Sequence, residues 1–149
     1  MYDIVVDMEM GVKDEAQKKL SSGHEEYLEL IYRSEESNRL ARTSEIAATL
    51  RVGLGTVTKV IDRLEKKGFV FHRPYQGITL TEKGREIGIK ILERHRIIER
   101  FLKDVLDIDS NHIHNHACKL EHVVDDELIG AIKKFLKQYP DLKMKLKPT

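Results

Sequence analysis

The sequence predicts a mainly α-helical protein with one small β-hairpin: a winged helix-turn-helix head followed by a helical domain. Three observations predict it. Apolar residues recur at helical spacing along most of the chain. Two glycines in three positions, Gly53 and Gly55, separate two short helical patterns. Directly afterwards, Phe69-Val-Phe71 and Ile78-Thr-Leu80-Thr81 flank Pro74 and a Tyr75-Gln76-Gly77 turn, as the arms of a hairpin would. Helix, glycine turn, helix, hairpin is the order of a winged helix. In that fold the second helix enters the DNA major groove and the hairpin meets the backbone.

Each element has its own signals. Ser22 and Glu25 have capping-box spacing, so a helix is expected there with Tyr27, Leu28, Ile31 and Tyr32 facing inward. Glu26 and Glu29, three apart, neighbour each other on it. Thr43 is read as the N-cap of a helix from Ser44 to Leu50, with Ile46, Ala47 and Leu50 inside. The next helix is expected from about Thr56 to Lys67, because Val57, Val60, Ile61 and Leu64 repeat at i, i+3, i+4, i+7. Gly68 ends it. Thr81 caps a long helix to about Leu106, with Ile87, Ile91, Ile98, Leu102 and Val105 as its stripe. His95 sits on that stripe, and Glu99 lies one turn on. After a break at 107–109, a helix is expected from Ser110 to about Val124. Asp125 then caps a last one through Tyr139, before Pro140, with Ile129, Ile132, Phe135 and Leu136 inside. The expected domains are an unassigned leader (1–21), the winged head (22–81), a helical dimerisation and metal-sensing domain (82–140) and a basic tail (141–149).

Composition narrows the class. The chain has 149 residues, 40% hydrophobic and 34% charged, which fits a folded globular protein and excludes a disordered one. No apolar run approaches the roughly 20 residues of a membrane span, and the first residues lack the basic start of a secretory signal. One cysteine, Cys118, leaves no internal disulfide and points to the reducing cytoplasm. The net charge of +1 hides an asymmetry. Residues 39–75 hold eight basic and three acidic side chains, whereas residues 1–36 hold ten acidic and four basic ones. A polyanion partner is therefore expected for the first stretch only. On the second helix of the head, Thr56, Thr58 and Lys59 lie away from Val57, Val60 and Ile61, as base edges and phosphates require. Thr43, Ser44, Arg63 and Arg73 complete the candidate DNA-binding set. The bland alternative is a three-helix core whose polar face meets only water.

The stretch His114-Asn-His116-Ala-Cys118-Lys-Leu-Glu121-His122 carries a second signal. On a helix, His114, Cys118, Glu121 and His122 share one stripe. Two imidazoles, a thiol and a carboxylate in register suit a borderline-soft divalent metal. A closed structural zinc site fits poorly, since it needs about four Cys or His ligands. A zinc hydrolase fits no better: His24-Glu25 lacks the second histidine, position 28 being Leu. His112 and His116 point off the stripe and read as exposed polar residues, and His72 lies beside the wing.

These residues resemble the diphtheria-toxin-repressor and manganese-transport-regulator family of metal-dependent transcriptional repressors. The resemblance rests on Glu26-Tyr-Leu-Glu29-Leu-Ile-Tyr32, Thr43-Ser-Glu-Ile-Ala47, Thr56-Val-Thr-Lys59, Leu80-Thr-Glu-Lys-Gly84, Arg94-His95-Arg-Ile-Ile-Glu99-Arg-Phe and Ala117-Cys118-Lys-Leu-Glu121-His122. It covers about residues 22–138 and implies the two-domain form without an SH3-like domain. It implies a homodimer binding operator DNA when Fe(II), or alternatively Mn(II), is bound, with Co(II), Ni(II) and Zn(II) substituting in vitro. By position it implies Glu26, Cys118, Glu121 and His122 as ligands, His95, Glu99 and His114 as an ancillary site, and Glu29 as a ligand of the manganese branch. Cys118 matches the iron branch and the carboxylate at Glu26 the manganese branch. The expected partners are double-stranded DNA and a second copy, with no membrane, small organic substrate or enzymatic activity. The rivals are a metalloenzyme on a winged-helix scaffold and a protein-binding module with structural metal.

Overall fold

The computed structural model describes residues 20–141. The expected leader, apart from its last two residues, and the expected tail beyond residue 141 lie outside them. The chain divides into two compact units, residues 1–89 and 90–149. Among the described residues the order is α1 (Ser22–Glu36), α2 (Thr43–Leu50), α3 (Leu54–Lys66), β1 (Val70–Arg73), β2 (Gly77–Leu80), α4 (Glu82–Asp104), α5 (Ser110–Leu120) and α6 (Asp126–Gln138). The first turns of α4 belong to the first unit and the remainder to the second. No helix among the described residues is long and apolar enough to cross a membrane.

The first unit is a winged helix-turn-helix. Its core joins Leu28 and Ile31 of α1, Ile46 of α2, Val57, Ile61 and Leu64 of α3, and Val70, Ile78 and Leu80 of the hairpin. Fully burying one such aliphatic side chain stabilises by about 1.5–3 kcal/mol, which explains why the 3.6-residue pattern overrides weak local signals. The strands pair antiparallel in the register Val70↔Leu80 to Arg73↔Gly77. Ile78 N–H donates to the Ala41 carbonyl at 2.9 Å, which pins the wing to the segment before α2. Glu35 ties three elements, accepting from Leu80 N–H at 2.9 Å and from Arg85 Nη2 at 2.7 Å.

Three helix starts differ from the sequence expectation. The N-cap of α1 is Ser21, not Ser22; its hydroxyl accepts from His24 N–H, and buried Leu20 anchors the chain just before it. Thr43 is not an N-cap but the first residue of α2, and Arg42 caps without a side-chain acceptor. The entry is fixed instead by buried Ala41 and its bridge to Ile78. Helix α3 starts at Leu54 rather than Thr56, because the Gly53 carbonyl already accepts from Thr56 and Val57 N–H. Gly55 therefore sits in the first turn of α3, ahead of the buried stripe of Val57, Ile61 and Leu64. The tight turn takes its left-handed residue at Arg51 (φ 55), not at a glycine. A glycine is required further on. A Cβ on Gly84 would lie 1.9 Å from the Phe69 carbonyl oxygen, so the segment entering β1 and the first turn of α4 can come this close only with glycine at 84. Thr81 caps α4 as expected, its hydroxyl accepting from Gly84 N–H at 3.1 Å.

The second unit packs α4, α5 and α6 around Ile98, Leu102, Ile113, Ala117 and Ile129. Asp125 caps α6 by accepting from Leu128 N–H at 2.8 Å, as expected. Helix α5 ends at Leu120, four residues before the expected Val124. Glu121 is its C-cap and still has helical dihedrals, but His122 falls in the following turn. The single helical stripe of His114, Cys118, Glu121 and His122 is therefore broken after Glu121.

Candidate metal centre and nucleic-acid interface

Core pairs aim the donors of the second unit. Ile98 and Leu102 on α4 meet Ile113 and Ala117 on α5, each pair at i, i+4. Glu99, His114 and Cys118 each directly follow a core residue, so burial of the apolar pairs turns them along the seam between the two helices. His95 stands one turn before Glu99 and is 1% exposed.

The imidazole of His95 is the hub. Its Nε2 lies 2.8 Å from Glu99 Oε1 and 3.1 Å from His114 Nδ1, and those two are 3.2 Å apart. Its Nδ1 lies 2.5 Å from Glu121 Oε2 and 4.0 Å from Cys118 Sγ. Cys118 Sγ is 3.6 Å from His114 Nε2, and His122 Nε2 is 3.2 Å from Glu121 Oε1. Both ring nitrogens of His95 thus face a carboxylate oxygen. A neutral imidazole has one N–H to donate, so the two contacts together call for a second proton or for a cation on one side of the ring.

The donor set fits a divalent metal. Adjacent ligands of an octahedral ion with bonds of about 2.1 Å stand about 3.0 Å apart. The His95, Glu99 and His114 atoms form a triangle with sides of 2.8, 3.1 and 3.2 Å. Two imidazoles and one carboxylate on one face are the donor triad of non-haem Fe(II) sites. His95, His114 and Cys118 also offer donor atoms that all lie within 4.8 Å of one another. His112 and His116 are exposed on the outer side of α5.

The other candidate ligands lie on α1. Glu29 is buried, and its Oε1 accepts from Arg33 Nη2 at 2.7 Å and Nε at 2.9 Å. Glu26 is half-buried.

The turn that carries Glu121 and His122 has supports that the sequence reading missed. Arg94 Nη1 donates to the Glu121 carbonyl at 3.4 Å, and Arg94 Nη2 pairs with the Asp126 carboxylate. Lys90 Nζ reaches the same carboxylate at 2.9 Å. Burial pushes the Asp126 carboxyl up, but hydrogen bonds from Arg94 and Lys90 outweigh it and hold the group below its ordinary value. The i, i+4 spacing of Lys90 and Arg94 was the available signal; their partner 32 residues beyond Arg94 was not deducible.

On the first unit, Ser44, Thr56, Thr58, Lys59, Arg63 and Arg73 are exposed, and Thr43 is half-buried. Thr58 Oγ1 donates back to the Leu54 carbonyl at 3.0 Å, which fixes its rotamer on the exposed face of α3. Glu65, at the end of α3, accepts from His72 N–H of β1 at 2.9 Å. The candidate recognition helix and the wing are thereby tied together.

Winged head and clustered donors define a DNA-binding regulator with a metal-binding second unit. Comparison with known proteins bears this out. Residues 19–78 match the N-terminal DNA-binding domain of iron-dependent repressors, and residues 81–143 match their metal-binding and dimerisation domain. The chain is 41% identical over 123 residues to an uncharacterized helix-turn-helix-type transcriptional regulator of Methanocaldococcus jannaschii, covering 82% of this chain and 98% of that protein. It is 36% identical over 120 residues to the transcriptional regulator MntR of Listeria welshimeri, covering 78% and 84%. A solved structure of the manganese regulator SloR superposes with a TM-score of 0.69 at 31% identity, covering 76% of this chain and 53% of that one. The chain spans about half the length of the solved manganese regulators it matches. It belongs to the iron-dependent repressor family, the diphtheria-toxin-repressor and MntR group, and is a metal-dependent transcriptional repressor rather than an enzyme.

Proposed function

We propose that this repressor works in the cytoplasm as a homodimer that binds a two-fold operator when Fe(II) is plentiful, shutting off genes of metal uptake. Mn(II) is the second reading, favoured by the carboxylates of Glu26 and Glu29. The observation that carries the proposal is the convergence of His95, Glu99 and His114 on a triangle of metal-ligand size. Those three are proposed as one ligand set, and Cys118, Glu121 and His122 with Glu26 and Glu29 as the other. Co(II), Ni(II) and Zn(II) are expected to substitute in vitro, since Fe(II) and Mn(II) stand at the weak end of the divalent series.

The bound ion supplies a cross-link between side chains that otherwise repel or stay hydrated. The chain's own residues turn that into DNA affinity. Thr56, Thr58 and Lys59 read the major groove, while Thr43, Ser44, Arg63 and Arg73 hold phosphates. Two heads must stand about 34 Å apart to enter successive major grooves. Ordering the donors lowers the conformational cost of that spacing, a population shift in which metal and DNA favour each other reciprocally.

The test is a metal-titrated DNA shift. Glu121→Ala with His122→Ala should abolish the metal response, and an undiminished response would remove these ligands. Replacing Thr56 and Lys59 with Ala should weaken DNA binding while metal uptake persists. Sedimentation of a monomer in both metal-free and metal-loaded protein would contradict the two-half-site operator.

A further inference from the structure

The second unit holds a groove of about 550 Å³ between α4 and α6. Arg96 and Arg100 line it from one helix, Lys133 and Lys137 from the other. Ile97 and Leu136 line it too, and no acid does. The four cations are exposed, whereas Ile97 is half-buried and Leu136 buried. Positive charge therefore stands at the rim and apolar surface at the base. The volume lies within the range of sites that hold a ligand.

This arrangement works against the fold of the unit itself. Each helix sets its two cations at i, i+4, where like charges repel. Two such pairs then line one groove. Arg100 Nε reaches Asp104 Oδ2 only at 3.5 Å, on a side chain that is 51% exposed. A cleft lined by one sign of charge over low-dielectric walls focuses its field and concentrates counter-charge. An anionic, partly apolar occupant would relieve the repulsion and cover the base.

We propose that the groove is a docking site for an acidic segment of this same chain, residues 3–10. Residues 1–12 carry Asp3, Asp7 and Glu9 and no base. Val6, Met8 and Met10 alternate with Asp7 and Glu9. In an extended chain, residues two apart face the same way and stand about 7 Å apart. Cations four apart on a helix are spaced about 6 Å along its axis. Asp7 and Glu9 thus match one cation pair, and the alternating apolar residues face the base. From Leu20 back to Met10 the chain can span up to about 33 Å. The other end of the chain is excluded on charge, since residues 142–149 hold three lysines and no acid. A nucleic-acid backbone would meet the rim but leave Ile97 and Leu136 without apolar partners. The segment lies outside both matched domains, so the contact is additional to the metal-dependent regulation proposed above.

A fluorescent peptide of residues 1–12 is titrated into full-length, metal-loaded protein whose own leader carries Asp7→Lys with Glu9→Lys. Binding should saturate and weaken as salt rises. The parent chain should bind the peptide about tenfold more weakly, because its tethered leader fills the groove at high effective concentration. In the parent chain, Lys133→Glu with Lys137→Glu, both at exposed positions, should abolish binding of this peptide. The same variant should instead take up a peptide carrying Asp7→Lys and Glu9→Lys, a rescue that a misfolded protein would not give. A peptide with Met8→Ser and Met10→Ser should lose about tenfold through its apolar contacts. No binding to the leader variant, equal binding to the parent, or no rescue of the reversed groove would each overturn the docking. Displacement of the peptide by duplex DNA, with no effect of the methionine changes, would overturn it in favour of a nucleic-acid surface.

Discussion

His95 Nδ1 and Glu121 Oε2 lie 2.5 Å apart, and both side chains are 1% exposed. Buried ionisable groups are costly unless partnered, so each of these side chains depends on the other. A carboxylate behind a ligating imidazole also fixes ring orientation and raises its basicity. Glu121→Gln keeps the shape and removes the charge. Metal affinity should fall about 10- to 100-fold, as measured by competition against a chromogenic chelator. An affinity within a factor of two of the parent would show that the charge is dispensable.

Ala117 of α5 is fully buried in a core that includes Ile98 and Leu102 of α4. Ala117→Leu should overpack this seam and cost about 1–3 kcal/mol. Because Cys118 follows it directly, the thiol should be displaced from His95 and His114. The Co(II)-loaded variant should lose thiolate-to-metal charge-transfer absorption. Retention of that band with a lowered Tm would mean that the seam relaxes elsewhere.

Burial, then the nearby positive charges of Lys67 and Arg63, hold the His24 imidazole below its ordinary 6.5. Above pH 6.5 the group is neutral in folded and unfolded chains alike, and it contributes no pH dependence. As pH falls through 6.5 the unfolded chain takes up a proton before the folded one, so stability is lost. The loss is complete below the folded value. His24→Gln should flatten the change in denaturant midpoint between pH 7.5 and 5.5, read on chelator-treated protein. An equally steep variant would assign the slope to other histidines.

The Arg94–Asp126–Lys90 cluster braces the turn after α5. Asp126 is 56% exposed, so Asp126→Asn should cost only on the order of 1 kcal/mol. Arg94 is 11% exposed and also holds the Glu121 carbonyl, so Arg94→Met should cost more. Equal Tm losses in the two variants would show that the carbonyl contact adds nothing.

Helical periodicity made the elements of the first unit legible, because Val57, Ile61 and Leu64 form a stripe that any reader of spacing recovers. Helix starts were less legible, because competing caps lie side by side. Ser21 and Ser22 differ only in which one buried Leu20 leaves at the helix mouth, and Thr43 lost its cap role to a bridge with Ile78, 37 residues away from Ala41. The donors were legible as residue types on α5 and α4, and family resemblance supplied their grouping. The hub role of His95 was not legible, since it depends on Glu121, at the end of α5, meeting a residue 26 positions earlier. Tyr75 gave no sequence signal beyond lying in a turn, because its left-handed backbone, at φ 64, is a property of the folded hairpin.

At position 84 even a methyl group would strike the Phe69 carbonyl. A saturation library built there should return one letter under selection for repression, while neighbouring Lys83 and Arg85, both exposed, tolerate many. The codon for this single achiral residue is therefore fixed by backbone geometry alone, whatever side chains surround it.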